Sequence, residues 1–264
     1  ILEVNNVQGG IPPFNYNYQW WQATPLPAQQ VGLNQSQYQP PTDQTGTYNY
    51  YCVITNDPAS TDCEYTTNTH TLIVQAAPSV LVPNQDNTIC EGGTISDLYV
   101  NPTGPGTITY EWNLVGGSSN PVSTSPTCPV PTNVAGTYEY YCIVSFSSGG
   151  CPDVTSSNIT ITIVLDPSIT GPGAPLPICD GGVIANPLNV IVNGGTGAIS
   201  YSWDEIGGSS NPVGTNPTYD PGILSPSGIY EYQVTVDYNG NGCDATTSNI
   251  VQIDVVDDPI SDDI

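Results

Sequence analysis

Three times along the chain the same short phrase returns: Thr45-Gly46-Thr47-Tyr48-Asn49-Tyr50-Tyr51-Cys52, Ala135-Gly136-Thr137-Tyr138-Glu139-Tyr140-Tyr141-Cys142, and Ser227-Gly228-Ile229-Tyr230-Glu231-Tyr232-Gln233-Val234. Each reads as a strand that begins at a glycine corner, because alternate residues such as Tyr138, Tyr140 and Cys142 fall on one face of an extended chain. The spacing is 90 residues from Tyr48 to Tyr138 and 92 from Tyr138 to Tyr230. A period of that size is a domain repeat, and it confines 264 residues to three units of ordinary sandwich size.

Other phrases recur at the same period. Tyr16-Asn17-Tyr18-Gln19-Trp20, Thr109-Tyr110-Glu111-Trp112 and Ser200-Tyr201-Ser202-Trp203 each put Tyr and Trp on one face of a strand. Gly116-Gly117-Ser118-Ser119-Asn120-Pro121 reappears as Gly207-Gly208-Ser209-Ser210-Asn211-Pro212. Ile89-Cys90-Glu91-Gly92-Gly93 matches Ile178-Cys179-Asp180-Gly181-Gly182, read as a turn after an opening strand near 79–83. Gly150-Cys151, Gly242-Cys243 and Asp62-Cys63 precede Thr/Ser-rich last strands, at 157–165 and 248–256 in the second and third repeats. The first repeat starts late, so its opening strand and Cys-Gly-Gly turn would lie before Ile1. No segment has a helical period, and the class is all-β. The boundaries read as 1–77, 78–166 and 167–256, with 257–264 a linker to a following domain.

Charge narrows the partners. The chain has 24 acidic residues, one His and no Lys or Arg, a formal net charge of −24. Nothing here could neutralise phosphates, which excludes nucleic acid and disfavours an anionic membrane surface. Carboxylate pairing with Lys or Arg is impossible, so stability must come from burial, backbone ladders and cross-links. Eight Cys without a CxxC pair point to an oxidising compartment rather than to zinc. No stretch is long and apolar enough for a membrane-spanning helix, so no membrane insertion is expected. Ile1-Leu2-Glu3-Val4 reads as strand rather than signal peptide, so the chain is taken as an internal piece of a longer protein.

Gly-x-Tyr leading into a strand, a Trp two elements earlier and about seven short strands per repeat resemble the immunoglobulin-type sandwich. One departure matters: the slot two residues after the Tyr holds Tyr50 or Tyr140, and Cys52 or Cys142 comes two further on. The combination of Ile-Cys-x-Gly-Gly, Tyr-x-Trp, Gly-Thr-Tyr-x-Tyr-Tyr-Cys and Gly-Cys is similar to the immunoglobulin-like, PKD-like repeats of giant Bacteroidota surface proteins. These include gliding-motility adhesins exported by the type 9 secretion system. The resemblance implies tandem immunoglobulin-like β-sandwich domains arranged as a rod, on an extracellular, surface-anchored or secreted protein.

On that topology Cys128 and Cys142 face each other across a core and could form a disulfide, whereas Cys52 is expected to be a buried free thiol. The Cys-x-Gly-Gly and Gly-Cys cysteines occur together in both complete repeats, which makes them partners in one of two ways. Within domains the pairs are Cys90–Cys151 and Cys179–Cys243. Immunoglobulin topology puts those turns at opposite ends, about 20 Å apart for a strand of about six residues, too far for a bond. The alternative, Cys90 with Cys243, joins neighbouring domains and is preferred, with the within-domain pairs kept open.

Asp166, Asp257 and Asp258 occupy equivalent domain ends, near Glu91 and Asp180 in equivalent turns, and could hold calcium at the junctions. No Asp-x-Asp-x-Asp-Gly loop is present, so a solvated acidic surface is the preferred reading, with no cofactor. Trp20, Trp112 and Trp203, with Tyr50, Tyr140 and Tyr232, read as core rather than as a sugar platform. Trp21 points to the opposite face from Trp20 and is the better candidate for an outside contact. His70, the single histidine, sits in a Thr-rich strand without a nucleophile elbow, and Asp204 and Glu205 are adjacent and point apart on a strand. Catalysis is not expected.

The function expected is a non-catalytic stalk segment of a long secreted adhesin or filament, in surface adhesion or gliding motility. Its partners would be neighbouring repeats and, at most, surface polysaccharide or other cells. A carbohydrate-binding module array is the alternative.

Overall fold

The computed structural model describes residues 1–10, 12–57 and 63–260. Every regular element among them is a strand. The chain divides into two compact units, one of Ile1–Ser79 with Thr103–Ile108 and Phe146–Pro152, the other of Val80–Pro102, Thr109–Ser145 and Asp153–Ile264. The first unit holds the first repeat; the second holds most of the second repeat and the third. Asp62 and the last residues of the expected linker, 261–264, lie outside the described residues.

In the second repeat the Tyr strand Gly136–Phe146 lies between Ile108–Leu114 and the last strand Ile159–Val164, and Asn87–Cys90 extends the sheet beyond the last strand. Leu98–Tyr99 pairs with Thr127–Cys128 in a separate short sheet. The third repeat repeats this plan. Gly228–Asn239 lies between Ala198–Glu205 and Val251–Val256, Ile178–Cys179 pairs on the outer edge, and Leu188–Asn189 pairs with Thr218–Tyr219. In the first repeat Gly46–Asp57 lies between Asn15–Thr24 and the segments Glu64–Thr66 and His70–Val74, and Leu2–Glu3 pairs with Gln37–Tyr38.

One expected turn is a strand end. Ile89-Cys90 does not sit in a corner between the first two strands. It ends a strand that runs parallel to the last one, with Ile89 opposite Ile163 and Cys90 opposite Val164. Ile178 and Cys179 likewise lie parallel to Val255 and Val256. The turn comes one step later, where the Gly93 N–H donates to Cys90 O at 3.0 Å and the Gly182 N–H to Cys179 O at 2.9 Å.

Alternation on the Tyr strand buries Tyr140, Cys142, Val144 and Phe146, and Trp112 of the second repeat is fully buried. A buried indole N–H needs an acceptor, and each of the three core Trp finds one on the backbone: Trp20 to Gln35 O at 2.9 Å, Trp112 to Ser125 O at 3.2 Å, Trp203 to Asn216 O at 2.9 Å. The cores of the first and third repeats also stack rings. Tyr38 lies 5.9 Å from Trp20 and 5.7 Å from Tyr50, and Tyr219 lies 5.7 Å from Trp203 and 5.4 Å from Tyr232.

The Gly-x-Tyr phrase also has a local explanation. Tyr48, Tyr138 and Tyr230 each donate their hydroxyl to the carbonyl four residues upstream: Gln44 O at 3.2 Å, Val134 O at 3.1 Å and Pro226 O at 2.9 Å. These are tyrosine corners, which pin the loop to the start of the strand. A Cβ on Gly136 would lie 3.3 Å from the Tyr138 hydroxyl, so the side-chain-free residue lets the ring fold back. Replacing Tyr138 with Phe is expected to cost the second repeat about 1 kcal/mol, whereas Trp203→Ala removes a fully buried ring and costs the third about 3–5 kcal/mol. Denaturant melts of the two variants check this order.

Candidate functional site

The residue types that recur without serving a sandwich core converge where the second and third repeats meet. Cys90 and Cys243 form a disulfide with Cα atoms 4.8 Å apart, closing 153 residues of sequence. Each flanking motif has a part in bringing them there. The Cys90 N–H donates to Asn241 O at 3.0 Å, so the hairpin of the third repeat hydrogen-bonds to the opening strand of the second. Gly93 and Gly242 lie face to face: a Cβ on Gly242 would be 2.7 Å from Gly93 Cα, and one on Gly93 would be 3.3 Å from Gly242 Cα. Gly242 is also left-handed, with φ +66°. The second glycine of Cys-x-Gly-Gly and the glycine of Gly-Cys are thus two halves of one backbone contact.

Further bonds close the junction. The Asp244 N–H donates to Asp166 Oδ1 at 3.1 Å and the Gly195 N–H to Leu165 O at 2.9 Å. A Cβ on Gly194 would lie 2.6 Å from Asp166 O, so the third repeat's backbone approaches the end of the second as closely as glycine allows. The inter-domain pairing of Cys90 with Cys243 is therefore the bond that forms. Cys151 and Cys179, the partners in the within-domain alternative, are free thiols. The parallel strand accounts for this: it carries Cys90 along the last strand to the end of its sheet, next to the following repeat.

Cys128 and Cys142, read as a possible bridge across the second core, are both free and fully buried. Each thiol turns toward the carbonyl of the next residue, Cys128 Sγ to Pro129 O at 3.7 Å and Cys142 Sγ to Ile143 O at 3.6 Å, instead of toward the other sulfur. Burial pushes both thiols up, to about 11; Asp97 and then Cys142 raise Cys128 further, while at Cys142 a hydrogen bond with the Glu111 backbone lowers it and the Glu111 charge raises it. Cys52 is also buried and raised, mainly by burial.

Among the acids, Asp257 accepts a short hydrogen bond from the Ser227 hydroxyl, and Asp258 is exposed. Among the described residues, Asp166 is the carboxylate that gathers with other ligand types, near Cys90 and Cys243. Both of those sulfurs are tied up in the disulfide, so the group supplies a single hard oxygen donor, already engaged by an amide. That donor set does not fit calcium, which takes six to eight oxygens. Trp21 stacks on Tyr51 with ring centroids 6.4 Å apart and 7° between planes, half-buried on the face away from the core. His70 is exposed, on the last strand of the first repeat.

Two recurrent features escaped the sequence reading. Ser156, Ser248 and Thr67 take the backbone N–H of Cys142, Val234 and Cys52 on their hydroxyls, at 2.9, 3.1 and 2.9 Å. They hold the step between the two halves of the last strand, and the period placed them in a Thr/Ser-rich stretch without separating them from it. Asn120 and Asn211 are the second case. Their side chains accept from the N–H and donate to the C=O of Leu114 and Glu205, at 2.9 and 3.0 Å and at 2.9 and 3.1 Å. The letter-for-letter loop is a hairpin lock.

These sandwiches define the class: an array of tandem immunoglobulin-like domains. No protein-family model matches the chain, and no curated protein matches it. Among solved structures, the three N-terminal domains of the bacteriophage RB49 Highly Immunogenic Outer Capsid protein match it with a TM-score of 0.55, at 14% identity over 95% of this chain and 92% of that one. Sidekick-1 immunoglobulin domains 1–4 match with a TM-score of 0.44, at 14% identity over 91% and 68%. Drosophila OTK extracellular domains 3–5 match with 0.38, at 13% identity over 92% and 86%. The likeness is one of fold.

Alkylation by iodoacetamide at pH 8 should label Cys63, Cys151 and Cys179 and leave Cys52, Cys128 and Cys142 untouched until the fold is melted; mass spectrometry reads the pattern. The raised thiols also fix a sign. With folded values near 11 against an ordinary 9.0, the stability that Cys128 and Cys142 contribute is complete below pH 9 and is lost as the pH climbs toward 11. Alkaline melts of the Cys128→Ala, Cys142→Ala pair should lack that loss.

Proposed function

We propose that the chain is a load-bearing, non-catalytic stalk segment of a long extracellular adhesin or filament. The observation that carries this reading is the Cys90–Cys243 bond, which couples two consecutive repeats covalently. A bond within one domain staples that domain; a bond between neighbours limits how far the chain can be drawn out. The acidic surface, without a Lys or Arg, keeps a long repetitive chain apart from its copies and from polyanions. The motif set supports placing the protein among the surface repeats of Bacteroidota, in adhesion or gliding motility, with export by the type 9 system. Surface polysaccharide or other cells would be its distant partners.

A carbohydrate-binding array is the second reading, and the half-buried Trp21–Tyr51 pair is the feature that favours it. It requires soluble glycans to quench Trp fluorescence and Trp21→Ala to abolish the quench; the stalk reading predicts no response.

Force spectroscopy on the full chain tests the stalk. Pulled from its ends, the oxidised protein withholds the 153 residues spanned by the bond. Reduction, or Cys243→Ser, should lengthen the fully extended chain by about 500 Å, at roughly 3.3–3.6 Å per residue. Equal contour lengths in both states would remove the load-bearing role.

A further inference from the structure

In the second repeat the opening segment covers the edge of the sandwich. Its strand Asn87–Cys90 lies parallel to the last strand. Just before it, the Gln85 side chain donates to Tyr99 O at 2.6 Å and accepts from Tyr99 N–H at 2.9 Å, and Asp86 Oδ1 accepts from Thr160 N–H at 2.7 Å. The segment thus bridges from one sheet to the other. Beneath it Ile159, Ile161 and Ile163 are at most 2% exposed.

The first repeat has both walls of this arrangement and nothing between them among the described residues. Gly46 pairs with Val74 as Gly136 pairs with Ile163, which aligns Leu72 with Ile161, His70 with Ile159 and Gln75 with Val164. Leu2 pairs with Tyr38 as Leu98 pairs with Cys128. A groove of about 600 Å³ runs between the walls, lined among others by Leu2, Val4, Trp20, Tyr50, Ile54 and His70. The floor is the repeat's own aromatic core, and His70 is exposed at a position where Ile159 and Val251 are buried. The far end of the edge reaches a thiol. A Cβ on Gly149 would lie 3.3 Å from Cys151 Sγ and 3.9 Å from Gln75 Oε1, so Cys151 lies beside the residue aligned with Val164, the partner of Cys90. Cys151 is itself the counterpart of Cys243.

We propose that this groove is the acceptor for an opening strand of the same type as residues 85–93. The strand lies parallel to His70–Val74, with its Ile opposite Val74 and its Cys opposite Gln75, and that Cys bonds to Cys151. The occupant has a defined chemistry: an extended segment with an acid at the Asp86 position, an aliphatic residue at the Ile89 position and the Cys-x-Gly-Gly ending. The two such segments in this chain are engaged already, since Cys90 is bridged to Cys243 and Ile178–Cys179 is paired with the third repeat's last strand. A second copy of the chain therefore has none to donate.

The test adds to the full chain a synthetic peptide of residues 79–93 carrying its Cys as a mixed disulfide with glutathione. The Cys151 thiolate attacks the peptide sulfur, the protein–peptide S–S bond forms, and glutathione leaves as a thiolate that takes up a proton. The expected product is an adduct at Cys151 in preference to the more exposed Cys179. Hydrogen exchange at amides 71–75 should slow by about tenfold or more. A Cys90→Ser peptide, which cannot cross-link, should still protect those amides saturably, and an Ile89→Asp peptide should do neither. Equal modification of Cys151 and Cys179, absent protection by the Cys90→Ser peptide, or self-association of the chain that blocks the peptide would each overturn the proposal. The force measurement concerns a different bond and is unaffected by the outcome.

Discussion

A parallel pairing of four residues organises the rest. Asn87–Cys90 against 161–164 seals one edge of the second sandwich, buries Ile89 beside the last strand's isoleucines, and carries Cys90 to the end of the sheet. There the cysteine meets Asn241, Gly242 and Cys243 of the next repeat. An antiparallel pairing with the last strand would carry Cys90 to the other end of the sheet. The junction therefore follows from the direction of one short strand. Among the described residues of the first repeat that pairing is absent, and a groove lies over its core.

Electrostatics can help this fold little. With no Lys or Arg, its carboxylates repel one another. Polar side chains are used instead as backbone substitutes: Asn120 and Asn211 complete hairpins, Ser156 and Ser248 complete a ladder step, and tyrosine hydroxyls tie three corners. Each is worth on the order of 1 kcal/mol. The larger share comes from rings and branched aliphatics packed at alternate positions, with one inter-repeat cystine.

Much of this was legible in the sequence, because period and alternation are local. The three Tyr strands, the Trp strands and the all-β class follow from spacing alone. The preference for Cys90 with Cys243 rests on a distance argument that takes Cys90 for a corner residue; it lies in a parallel strand instead, and the bond to Cys243 forms while Cys151 stays a free thiol. What spacing could not reveal is direction and rotamer. Nothing in Asn-Thr-Ile-Cys announces a parallel partner 74 residues away, the separation of Thr88 from Thr162 in the paired strands. Nor does the sequence say that two inward cysteines, Cys128 and Cys142, turn their sulfurs to neighbouring carbonyls.

The bond between Cys90 and Cys243 can be read directly. Digestion without reduction, by a protease that cuts at acidic or aromatic residues, followed by mass spectrometry, should yield one cross-linked pair containing Cys90 and Cys243, with Cys128 and Cys142 recovered as thiols. Recovery of Cys90 linked to Cys151, and Cys179 to Cys243, would contradict the account and mean independently stapled domains.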